Sequence, residues 1–201
     1  MKDLIVLVPD KNMEFSVKAL LNRTDSLRIR SITYDIKVHP HRDPGVYNDA
    51  HDFLRLFIGR FSNALVMLDK EGCGRNESTN TITNNVQSRL DISGWWNRSK
   101  VIVIDPELEI WVWSMSPQVA ACIGWEHNDL RNWLRSEGNI REDTAKPDKP
   151  KEVFEKALRF KGKARSSSIF SKLAERVGLN HCSDSAFLVF KDTLQNWFAI
   201  E

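Results

Sequence analysis

The chain has 201 residues, 41% of them apolar, which is enough for one substantial core and excludes a disordered chain. Its 29 Lys and Arg against 27 Asp and Glu leave a formal net charge of +2, so bulk charge does not mark a nucleic-acid binder, although a local basic patch stays open. No segment approaches the roughly 20 apolar residues of a membrane span, and the apolar run at 4–8 is too short for a secretory signal and lacks a small-residue cleavage site after it. Cys73, Cys122 and Cys182 are scattered and odd in number, without a disulfide framework or a CxxC metal signature; they are expected to be incidental thiols in a reducing cytoplasm.

In chain order, the apolar run at 4–8 predicts a strand buried on both faces. A helix is expected over 14–22, carrying Phe15, Val17, Ala19, Leu20 and Leu21. Residues 29–38 predict a second strand, with Ile32, Tyr34, Ile36 and Val38 on one face. Residues 48–61 predict a helix through Ala50, Phe53, Leu54, Phe57 and Ile58. The run 64–68 is a third strand, 83–90 a helix with a thin apolar face of Val86 and Leu90, and 100–104 a fourth strand. This alternation is the signature of an open, mainly parallel α/β sheet with helices on both faces. Beyond it, Leu108–Trp113 runs into a Ser-Met-Ser-Pro break, and a Trp-bearing helix follows at 128–137. Residues 138–151 are polar, with Pro147 and Pro150, and read as a loop. Helices are expected at 151–159, 167–177 and 185–197, with Ser166, Ser167 and Ser168 as N-cap cluster and Gly178 as C-cap. The division is an α/β core (1–137), a polar loop (138–151) and a helical C-terminal segment (152–201) packed on the core, one domain overall.

Ligands of open α/β sheets bind beyond the carboxyl ends of the strands. Those exits read Pro9-Asp10-Lys11-Asn12-Met13-Glu14, His39-Pro40-His41-Arg42-Asp43-Pro44-Gly45, Asp69-Lys70-Glu71-Gly72-Cys73-Gly74 and Asp105-Pro106-Glu107-Leu108-Glu109. Carboxylates converging in one crevice repel each other, and a hard cation such as Mg²⁺ is the usual remedy. Asp69 and Glu71, two apart on an extended exit, can face one ion, with Asp105 and Glu107 alongside; Gly72 and Gly74 would admit a ligand closely. The plainer alternative is solubility and helix capping, with Asp10 capping the helix that begins near Met13. His39 and His41 have the composition of ligands for a softer ion such as Zn²⁺ or Mn²⁺, but no third ligand stands at motif spacing, and Arg42 and Asp43 could equally hold a loop through ion pairs. Lys156, Arg159, Lys161, Lys163 and Arg165 lead into the serine cluster, and Lys161, Lys163, Arg165 and Ser167 form a candidate phosphate cradle; a solvated charged turn with a serine cap is the alternative. Most of the seven tryptophans read as core or interhelix packing residues, and none by itself signals base stacking. No GxSxG, GxxxxGK[ST] or GxGxxG form is present.

The run 4–21, the segment Leu68-Asp69-Lys70-Glu71-Gly72, the segment Pro106–Trp113, Lys146-Pro147 with 167–177, and the closing 194–198 resemble a group of TOPRIM-like prokaryotic proteins. More narrowly, Val38-His39-Pro40-His41-Arg42-Asp43-Pro44-Gly45 and Pro106-Glu107-Leu108-Glu109 resemble a family of small proteins in bacterial methylation-associated anti-phage defence operons, counted as the fourth component. The resemblance implies a TOPRIM-like (Rossmann-like) sheet, a cytoplasmic location, no membrane contact, partner proteins of the same defence system, and Mg²⁺-dependent chemistry on nucleic acid. TOPRIM enzymes place a Glu after the first strand and an Asp-x-Asp after a later one. Asp69 and Glu71 match the second motif with Glu as its final acid. Pro9 stands where the first acid is expected, with Asp10 one place later and Glu14 on the helix. The implied catalytic set is therefore Asp69, Glu71, Asp10 and Glu14, and the implied metal set Asp69, Glu71, Asp105 and Glu107, with Glu109, His39 and His41 nearby. The departure at Pro9 leaves open a catalytically silent adaptor or sensor that binds a partner protein or a nucleotide.

Overall fold

Leu4, Ile5, Val6, Leu7 and Val8 are completely buried, as an unbroken apolar run requires when both faces of its sheet are covered. They belong to β1 (Lys2–Val8), which lies inside a sheet with β2 (Tyr34–Val38), β3 (Phe61–Asp69) and β4 (Ser99–Ile104) in the order β2-β1-β3-β4, every neighbouring pair parallel. The computed structural model describes residues 1–140, 146–179 and 182–200, and the expected open α/β sheet is its framework. Alternation along each strand divides the core. Leu4, Val6, Leu65, Met67, Ile102 and Ile104 pack on one face with Met13, Val17 and Leu20 of α1 (Lys11–Leu21). Ile5, Leu7, Val66, Leu68, Val101 and Val103 pack on the other with Val46, Ala50 and Leu54 of α3 (Arg42–Arg55) and Ile82, Val86 and Leu90 of α4 (Thr79–Leu90).

The expected second strand is shortened. A helical turn, α2 (Thr24–Leu27), is closed by Arg28 in the left-handed region (φ 58°), and pairing with β1 begins at Tyr34. Ile29 is buried in the first core, and the amide of the next residue, Arg30, donates to the Phe198 carbonyl at 3.0 Å, so this stretch is held by the C-terminus. Ile32, Tyr34, Ile36 and Val38 do share one face, against the first core. The helix expected at 48 starts at Arg42, because Pro44 sits in its first turn, where a missing N–H costs nothing. At the Ser-Met-Ser-Pro break a helix begins: Ser116 caps α6 (Pro117–Ile123) by accepting the Gln118 amide at 3.3 Å.

The first core continues through α5 (Glu109–Val112), α6, α7 (His127–Ser136), α8 (Pro150–Phe160), α9 (Ser167–Arg176) and α10 (Ser185–Trp197). The expected C-terminal helices thus form, α8 starting inside the stretch read as a polar loop, of which 141–145 lie outside the described residues. Arg23, just after α1, donates from Nη1 to the carbonyls of Ala174 and Val177 at 2.7 Å each, fastening α9 beside α1. Indole N–H groups tie the outer helices together: Trp111 to Asp184 Oδ1 (2.9 Å), Trp113 to the Pro150 carbonyl (2.9 Å) and Trp125 to the Ala157 carbonyl (3.0 Å). These tryptophans are packing residues, whereas Trp96 is 68% exposed. Among the described residues no helix is long and apolar enough to cross a membrane.

Candidate functional site

Because β2 lies on one side of β1 and β3 on the other, the strand order reverses between β1 and β3, with α1 leaving on one face and α3 on the other. That switch point opens at the carboxyl ends of the strands, where Asp10 follows β1 and Asp69 ends β3. Asp69 continues the alternation of Leu65 and Met67, which directs it to the face carrying α1 and the C-terminal helices. Its Oδ1 is sealed from solvent and takes no hydrogen bond among the described residues. Burial holds the Asp69 carboxyl well above its ordinary range, and the negative charges of Asp43, Glu109, Asp10 and Glu107 push it the same way.

Each surrounding acid has a structural partner. Asp10 caps α1, its Oδ1 accepting the Met13 amide at 2.9 Å, as the plainer reading expects. Asp43 Oδ1 accepts the backbone N–H of Asp69 at 2.7 Å, and burial raises its carboxyl to about 6. Gly72 makes this approach possible: a Cβ there would lie 2.5 Å from Asp43 Oδ2, so the space the glycine opens is taken by the protein's own carboxylate. Glu109 is fully buried; its Oε1 accepts Nε of Arg165 at 2.8 Å and Nη2 as well, while its Oε2 has no partner among the described residues. Burial raises the Glu109 carboxyl and Arg165 draws it back. Glu107, also buried, pairs with Lys151 at 2.9 Å. Asn12 completes the layer: Oδ1 accepts Arg165 Nη1 at 3.0 Å and Nδ2 donates to Ser167 Oγ at 3.1 Å. Five carboxylates thus meet two cations, Arg165 and Lys151.

Other expected site residues stand further out. Asp105 is exposed and its Oδ2 accepts Lys70 Nζ at 2.7 Å and Thr79 Oγ1 at 3.0 Å. Glu71 is exposed, its amide donating to the Pro106 carbonyl at 3.1 Å. Glu14 pairs with Lys11 at 2.7 Å. His39 is buried, which lowers its pKa, and its Nδ1 accepts the His41 amide at 3.1 Å. The two imidazoles lie with ring centres 5.8 Å apart, and a Cβ on Gly45 would come within 2.1 Å of His39 Nδ1. Among the described residues, no group of three or more His, Cys, Asp or Glu side chains is placed to hold a metal ion. Of the expected phosphate cradle, Arg165 and Ser167 join the crevice wall, and Lys161 and Lys163 turn toward Trp125 and Gly124.

Sequence reasoning set Asp43 and Asn12 at strand exits but gave neither a place in the site, reading Asp43 with Arg42 as a loop-holding ion pair. Asp43-Pro44 instead marks a helix first turn. Asn12 carries no signal of its own; its neighbours, Arg165 and Ser167, are over 150 positions away.

The two roles of Asp10 separate by substitution. Asp10→Ala is expected to cost about 1 kcal/mol in urea denaturation, whereas Asp10→Ser, which keeps a capping oxygen, should cost little. Equal losses in both variants would show that the carboxylate charge and not the cap is what stabilises the fold.

No family model, curated protein or solved structure matches the chain.

Proposed function

We propose that the protein is a component of a bacterial methylation-associated anti-phage defence system whose TOPRIM-like crevice, centred on Asp69, engages the phosphates of nucleic acid with a divalent cation. The observation that carries this reading is the sealed, unpartnered Oδ1 of Asp69 at the switch point, amid the charges of Asp10, Asp43, Glu107 and Glu109. An orphaned buried oxygen forfeits hydrogen-bond energy of about 1–3 kcal/mol, and a cation that reaches it when the sealed crevice opens supplies the compensation. Carboxylate oxygens are the donors that Mg²⁺ takes, and Mg²⁺ is commonly held by one or two carboxylates together with substrate phosphates and water. Bound there, Mg²⁺ would polarise a phosphodiester and lower the pKa of water. The chain's own residues do the rest: Asp43 fixes the Asp69 backbone, Asp10 orders the first turn of α1, and Arg165 and Lys151 offset the remaining charge.

A catalytically silent adaptor that binds partner proteins of the same system is the second reading. It is favoured by Pro9 in the place of the first motif acid and by the use of Asp10 as a cap.

One experiment separates the two. Cells carrying the complete defence operon with wild-type or Asp69→Asn protein, at equal abundance, are challenged with phage, and the purified proteins are incubated with DNA and RNA with and without Mg²⁺. The crevice reading expects Mg²⁺-dependent cleavage and its loss by more than about 100-fold in Asp69→Asn, since disturbing even the outer shell of a metal site costs about 10–100-fold. Full protection by the mutant would favour the adaptor.

A further inference from the structure

Away from the crevice, the end of α8 presents an aromatic ring to solvent. Phe160 is 64% exposed and lies on Trp125, with ring centres 4.9 Å apart and planes inclined by 27°. Trp125 is buried, held by its indole N–H on the Ala157 carbonyl and backed by Trp133 at 5.1 Å. The outer ring therefore rests on a fixed stack. Around it the sequence sets Arg159, Lys161 and Lys163 at alternate positions. Lys161 Nζ stands 4.4 Å from the Trp125 ring centre, and Lys163 Nζ lies where a Cβ on Gly124 would meet it at 2.7 Å. Lys156 is neutralised by Glu137, but among the described residues Arg159, Lys161 and Lys163 form no ion pair.

We infer that Phe160 and the cations Arg159, Lys161 and Lys163 form a platform for single-stranded nucleic acid, an unpaired base stacking on the open face of Phe160 while the cations take the adjoining phosphates. A single exposed ring bordered by cations suits this ligand: stacking needs an accessible base face, which a duplex hides, and the phosphates need positive charge that the chain as a whole, at +2, does not supply. The platform specifies the form of nucleic acid for the function proposed above and rests on that proposal only for its biological setting, since it uses none of the crevice carboxylates.

The test is fluorescence anisotropy of the full-length protein with labelled oligothymidylate of about 20 nucleotides, a few site sizes of a stacking groove, and with a duplex of equal length. Saturable binding at low salt is expected, with the single strand preferred. Phe160→Leu, which keeps an apolar cover on Trp125 but removes the π face, should weaken binding about tenfold, as should Phe160→Ala. The double variant Lys161→Ala/Lys163→Ala should reduce the slope of log affinity against log salt by about 1.4. The measurement is made in EDTA, where the cation-dependent crevice cannot engage phosphates, which keeps this outcome apart from failure of the crevice. The inference is overturned by absence of binding at low salt, by equal affinity for the duplex, or by wild-type affinity in Phe160→Leu with unchanged thermal stability.

Discussion

Replacing Arg165 by Met is expected to lower the unfolding free energy by about 3–5 kcal/mol, the usual consequence of stranding one member of a buried ion pair. Glu109 has no exposed surface and among the described residues its Oε2 lacks a partner, so the two hydrogen bonds from Arg165 to Oε1 are what compensates its charge there. Met is the informative substitute because the Arg165 side chain also covers Phe170, its guanidinium carbon 5.2 Å from the ring centre, and a thioether keeps much of that apolar contact. Loss of charge is thereby separated from loss of packing. In the double variant Arg165→Met/Glu109→Leu no charge is left stranded, and most of the stability should return, since apolar replacement of a buried pair is commonly neutral or favourable. Urea denaturation of the four proteins in the double-mutant cycle gives the coupling. A loss below about 1 kcal/mol in Arg165→Met would mean that the crevice relaxes to solvate Glu109.

The framework that presents this pair was legible in the sequence because parallel strands buried on both faces announce themselves as apolar runs. Residues 4–8, 64–68 and 100–104 lie within β1, β3 and β4. The run 29–38 misled at its start because Ile29 is apolar for a different reason, packing in the core beyond the end of the sheet. The sheet edge itself was equally readable, since in an all-parallel sheet every strand exit lies on one side, and Asp10, Asp69 and Asp105 share it. What spacing did not reveal is which acids turn inward. Asp105 and Glu71 face outward, whereas Asp43, in a helix first turn, faces Asp69. That choice is made by contacts remote in sequence: Arg165 on Glu109, Lys151 on Glu107 and the Asp69 amide on Asp43. The same contacts explain why Arg165, which reads with Lys161 and Lys163 as one basic cluster, belongs to the crevice wall while the two lysines lie toward Trp125 and Gly124.

The inward acids make stability depend on pH in a direction opposite to that of ordinary salt-bridged carboxylates. Asp43 ionises near 3.8 when unfolded and at about 6 when folded, so the folded chain holds the extra proton between these values. Its contribution is present below pH 4 and is withdrawn as pH rises through 6; at 1.36 kcal/mol per unit, a shift of about two units amounts to about 3 kcal/mol in full. Asp69 and Glu109, both raised by burial, act in the same direction. His39 acts against them: burial disfavours its charged form, so it adds stability as pH rises through its ordinary value of 6.5. Comparison with Asp43→Asn isolates the Asp43 carboxyl, because the amide oxygen still accepts the Asp69 N–H while Asp69, Glu109 and His39 are retained. Metal-free wild-type protein should lose more stability between pH 5 and pH 8 than Asp43→Asn does, read from urea midpoints at constant ionic strength. Parallel profiles would show that Asp43 ionises in the folded chain as it does in the unfolded one. Under the proposed function, Mg²⁺ at ten times its dissociation constant should restore about 1.4 kcal/mol at pH 8 and little at pH 5, where protonated carboxyls compete for the ion. Asp69→Asn should abolish that gain, and equal stabilisation of the variant by Mg²⁺ would place the cation elsewhere on the molecule.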